Sequence, residues 1–118
     1  MARVLAVTLD EILIAINDVR SASHGLTFVE FEQARIARLA TERAIEIISE
    51  AARHLPDDLT GRYPQLPWRK ITAIGNILRH EYYHISAKVI WDVVRLELDP
   101  LEAVIKHERD QLGPLGTH

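Results

Sequence analysis

Residues 64–86 read PQLPWRKITAIGNILRHEYYHIS. Pro67 suits the first turn of a helix, where its missing N–H would be unpaired in any case. The apolar residues behind it recur at helical spacing, which predicts a helix from about Trp68 toward Tyr82. Near its end stands His80-Glu81-Tyr82-Tyr83-His84, an H-E-x-x-H sequence. On a helix the two histidines stand about 40° apart round the axis, and both rings can reach one metal ion, with Glu81 as general base. Zinc also needs a third protein ligand. Glu97 and Glu102 are candidates that nothing in the spacing singles out, and no strands are predicted to align a peptide substrate. Beside this reading stands the plain one, a solvated helix end. Two histidines, an arginine and two tyrosines within six residues (79–84) make it unusually dense in polar and aromatic groups.

Outward from this stretch the pattern stays helical. Thr8-Leu9-Asp10-Glu11 opens a first helix with Ile12, Ala15, Ile16 and Val19 on one face, and Ser23-His24-Gly25 ends it. Thr27-Phe28-Val29-Glu30 has the form of a capping box. A long helix is expected from there to about Leu55, with a short helical turn after Pro56-Asp57-Asp58. Ser86 is placed to cap a further helix carrying Val89, Ile90, Val93 and Val94. Asp99-Pro100 reads as a cap and first-turn proline for the last helix, or as a kink. The expectation is an all-α up-and-down bundle of four to five helices. It would form one domain over residues 1–112, with a flexible tail over 113–118.

Composition narrows the class. The 118 residues suit one domain with a modest core. No stretch approaches a membrane span, and the start lacks the features of a secretory signal, so a cytoplasmic location is expected. Cysteine is absent, which excludes disulfides and thiolate metal sites. The net charge of −3 argues against a general nucleic-acid coat. Between Arg62 and Lys88, however, five basic residues stand against Glu81 alone. That is either a solvated face or a local patch able to hold phosphate.

The stretches FVEFEQARIARLATERAIEIISEAARHLP, YPQLPWRKITAIGNILRHEYYHIS and VIWDVVRLELDPLEAVI resemble, in order and spacing, the HepT-like branch of the HEPN superfamily. The specific part is Pro64-x-Leu66-Pro67-Trp68-x-x-Ile71 followed by Asn76-x-Leu78-x-His80-x-Tyr82. The resemblance implies a helical homodimer whose two motifs face a shared cleft. It implies RNA cleavage without a metal or other cofactor, and pairing as a toxin with a minimal nucleotidyltransferase antitoxin. The family motif R-N-x-x-x-H-x-Y places its Asn at Asn76, its His at His80 and its Tyr at Tyr82. By the resemblance Tyr82 is where the partner would attach AMP, adding charge and bulk where RNA phosphate would bind.

The family arginine falls on Gly75, and this departure bears on activity. In metal-free cleavage a ribose 2′-OH attacks the adjacent phosphate, and a histidine takes or supplies the proton. Negative charge grows on the phosphorane oxygens, and a guanidinium answers it. Arg79 lies one turn beyond Gly75, and helical side chains lean toward the N-terminus. Arg79 is therefore the candidate to replace the lost arginine as a phosphate clamp, and the plain alternative is a solvated arginine. The shifted register Arg79-His80-x-x-x-His84 is weaker, because it abandons the Tyr82 and Pro-Trp anchors. The rival to a ribonuclease is a catalytically weak or inactive binding partner of the nucleotidyltransferase. The zinc hydrolase ranks third.

Overall fold

The computed structural model describes residues 4–81 and 86–113. Within them all regular structure is helical: α1 (Leu5–Ser23), α2 (Phe28–Gln33), α3 (Arg35–Ala52), α4 (Asp57–Gly61), α5 (Trp68–Glu81), α6 (Ala87–Leu96) and α7 (Leu98–Leu112). These seven segments are the five helices expected, with the long one divided at Ala34, together with the short expected turn of helix, α4.

The capping box forms as its sequence predicts. The Glu30 amide donates to Thr27 Oγ1 at 3.2 Å, and Glu30 Oε1 accepts from the Thr27 amide at 2.9 Å. The helix it starts is short, however. The backbone leaves helical geometry at Ala34 (φ −89°, ψ 83°), so the expected long helix becomes α2 and α3. Tertiary packing explains the break. Phe31 is fully buried against Trp91 of α6, with ring centroids 5.2 Å apart, whereas α3 lies between α1 and α5. One straight helix cannot meet both demands.

At the N-terminus α1 begins earlier than expected. Thr8 is not a cap but a buried residue inside the helix, with its amide donating to the Val4 carbonyl. Ser86 caps α6 as expected, accepting from the Val89 amide at 3.3 Å. The chain turns at Glu97, and Asp99-Pro100 falls in the first turn of α7. Gly113 ends α7 with φ 72°, a conformation that favours glycine. The remainder of the expected tail lies outside the described residues.

The core runs from Leu9, Ile12, Ile16 and Val19 of α1 through Ile45 and Ile48 of α3 to Leu101 and Ile105 of α7. Each buried Leu or Ile of this set contributes about 1.5–3 kcal/mol by leaving water. Two polar ties bind α1 to α7: Arg109 reaches Asp10 at 2.8 Å, and Arg20 reaches Asp99 at 2.6 Å and Glu102 at 3.0 Å. No helix among the described residues is long and apolar enough to cross a membrane.

Candidate functional site

The Pro-Trp run fixes where α5 starts. Trp68 Nε1 donates to the Tyr63 carbonyl at 2.9 Å, and the Ile71 amide donates to the Pro67 carbonyl at 3.0 Å. The turn behind Trp68 is held against α7: Tyr63 Oη donates to Glu108 Oε2, and Arg62 Nη2 meets Glu108 Oε1, each at 2.5 Å. Burial pushes the Glu108 carboxyl toward protonation. The Tyr63 and Arg62 contacts outweigh it and hold the pKa below the usual carboxylate range. The same contact raises the Tyr63 phenol and the Arg62 guanidinium. A buried acid thus anchors the helix that carries the candidate residues.

Asn76, Arg79 and His80 all lie on the exposed face of α5. Residues three and four apart share a helix face, so the sequence spacing alone brings the three together. Arg79 Nη2 donates to Asn76 Oδ1 at 3.3 Å. That contact uses the amide oxygen and leaves the amide NH2 without a partner among the described residues. Arg79 also borders two open grooves along α3, one with Leu39, Arg43 and Glu46, the other with Arg43, Glu46 and Glu50. Tyr82 and His84 lie outside the described residues, as does the rest of 82–85.

Gly75 alters the expected geometry. It is buried, not surface-facing: a Cβ there would lie 2.8 Å from both Cβ and Oγ of Ser49 on α3. The space a family arginine would start from is occupied by another helix. Arg79 leans one turn back, as expected, but onto Asn76 and not over Gly75.

Ser49 was not a candidate from sequence. Its hydroxyl accepts from the Gly75 amide at 3.0 Å and donates to the Thr72 carbonyl at 3.1 Å. The same carbonyl accepts from Arg53 Nε at 3.1 Å. The available signal was a small polar residue within the apolar stripe Ile45, Ile48 and Ala52, on a helix able to face a mid-helix glycine.

Among the described residues the chain is an all-α bundle that exposes Asn76, Arg79 and His80 on one Pro-Trp-anchored helix. The family model described as Ribonuclease HepT-like matches residues 12–108. The chain belongs to the HepT-like ribonuclease family. It is similar to a Methanocaldococcus jannaschii protein named "Putative RNase", 31% identical over 81% of this chain and 88% of that protein. A second "Putative RNase" of that organism is 35% identical over 71% of this chain and 69% of its own length. The "Probable ribonuclease HepT" of Thermococcus cleftensis is 29% identical over 80% of this chain and 86% of its own length. No solved structure matches the chain.

Proposed function

We propose that this chain is a toxin of the HepT type, a metal-independent endoribonuclease of the cytoplasm that works as a homodimer. The supporting observation is the Arg79–Asn76 contact at 3.3 Å beside His80, on a helix face open to a polymer. In this reading His80 takes the proton of a ribose 2′-OH. The 2′ oxygen bonds to phosphorus, the bond to the 5′ oxygen breaks, and that oxygen takes up a proton, leaving a cyclic phosphate and a 5′-OH end. Arg79 meets the charge that grows on the phosphorane oxygens, and Asn76 orients the phosphate through its NH2.

The partner in this reading is a minimal nucleotidyltransferase. Tyr82 Oη attacks the α-phosphorus of ATP, pyrophosphate leaves, and the attached AMP occupies the position of RNA phosphate. Incubation with single-stranded RNA in excess EDTA tests the ribonuclease. Cleavage by the wild type and none by His80→Ala supports it. Cleavage that requires added zinc overturns it.

A second reading is favoured by Gly75. Position 75 has neither a guanidinium nor room for one, which fits a chain that binds the nucleotidyltransferase without cutting RNA. Retained binding to that partner, together with no cleavage of any RNA by the wild type, would establish it.

A further inference from the structure

The close approach at Gly75 has an effect beyond the glycine itself. With no side chain at 75, α3 comes near enough for the Ser49 hydroxyl to bridge the Thr72 carbonyl and the Gly75 amide. One turn further along α3, Arg53 arrives at the same carbonyl and donates Nε to it at 3.1 Å. A helical carbonyl points along the axis toward the residue four ahead. The Arg53 guanidinium therefore sits beside the turn that carries Asn76. Arg79 sits on the other side of that turn, in contact with Asn76 Oδ1.

The Nε bond fixes the plane of the Arg53 group and leaves both Nη nitrogens as donors. Among the described residues they meet no carboxylate. Of the acids on α3, Glu46 pairs with Arg43 at 3.3 Å, and Glu50 lies 3.6 Å from His54, an ion pair only when that imidazole is protonated. Arg53 thus brings a planar guanidinium to the turn before Asn76, whose amide NH2 has no partner among the described residues, and Arg79 adds a second guanidinium beyond it; such a row of donors suits consecutive phosphates of one strand.

We infer that Arg53 is a phosphate-binding residue of this site, delivered from α3 by the Ser49–Gly75 crossing, and that it holds the backbone phosphate next to the one at Asn76, Arg79 and His80. The inference rests on the RNA reading above. It assigns to α3 a charge that α5 lacks at position 75.

The test is equilibrium binding of a short single-stranded RNA with 2′-O-methyl riboses, which cannot supply the attacking hydroxyl, over a range of salt concentrations. Each phosphate contact on a single strand contributes about 0.7 to the slope of log K against log salt. Arg53→Ala is expected to lower that slope by about 0.7 and to weaken binding about tenfold or more at low salt. Arg95→Ala removes the same charge from α6 and is expected to leave the slope unchanged. An unchanged slope in Arg53→Ala, with wild-type binding intact, overturns this inference alone. Equal losses in both variants reduce it to a net-charge effect and also overturn it. A wild type that does not bind the RNA defeats both this inference and the RNA reading on which it rests.

Discussion

The amide of Gly75 donates to Ser49 Oγ at 3.0 Å across the α3–α5 crossing, and Ser49 is buried. A helical amide turned toward a neighbouring helix in this way is possible only where the two backbones nearly touch. The crossing sets the distance between the helix that carries the candidate residues and the centre of the bundle.

Gly75→Ala is expected to destabilise the fold by about 1–3 kcal/mol. The new Cβ meets Ser49 Cβ at 2.8 Å, and that atom is not the end of a flexible chain. Overpacking of this kind costs about 1–3 kcal/mol, and the displaced serine loses hydrogen bonds. Against that stands a helix-propensity gain of about 1 kcal/mol. Ser49→Gly, which removes the clashing carbon, is expected to restore stability to the alanine variant, whereas Ser49→Ala is not. Thermal melts of the four-variant cycle give the coupling directly.

Loss of the Arg79 guanidinium is expected to lower RNA cleavage by about a hundredfold to a thousandfold, the usual cost of removing one transition-state donor. His80→Ala is expected to abolish most cleavage. Both side chains are exposed, so circular dichroism should show unchanged helix content. Cleavage by Arg79→Ala at the wild-type rate would remove Arg79 from the mechanism, whatever His80 does.

Tyr82→Phe is expected to eliminate AMP transfer from a cognate nucleotidyltransferase. Intact mass after incubation with ATP reads the outcome. Modification that persists, for example on Tyr83, would show that the motif is read in the wrong register.

The Glu108 cluster predicts how stability varies with pH. The carboxyl has a lowered pKa in the folded chain, so its contribution is present above the ordinary value of about 4.3 and is lost as pH falls through the lower folded value. Tyr63 has a raised pKa, so its contribution is present below the ordinary phenol value of about 10 and is lost as pH rises through the folded value. Glu108→Gln is expected to flatten the acid limb of the stability profile. At neutral pH it should cost about 1–2 kcal/mol, the low end for bonds to a charged group, because Arg62 is half-exposed. Denaturant unfolding as a function of pH measures both effects.

Much of this architecture was legible because it is local. The Thr27–Glu30 capping box and the Ser86 cap each depend on residues three apart, and both form. The shared face of Asn76, Arg79 and His80 follows from helical period alone. What was illegible depends on other helices. Thr8 has the residue type of a cap, yet it lies buried within α1. Nothing near Ala34 breaks a helix by propensity; the break follows from Phe31 packing on α6 while α3 packs on α1 and α5. Gly75 read as a missing charge, because no sequence pattern reports that Ser49 stands 23 residues from Thr72 along the chain and in contact with it.

The Ser49–Gly75 crossing also constrains which sequences this fold can reach by single steps. Writing the family arginine back at position 75 would place a long charged chain where α3 already stands. Its first effect would therefore be on folding, ahead of any effect on chemistry. The change becomes tolerable only after residue 49 shrinks or α3 shifts outward, and an outward shift would withdraw Arg53 from the Thr72 carbonyl. An arginine at 75 is thus conditional on a second site, and the two positions behave as one steric unit.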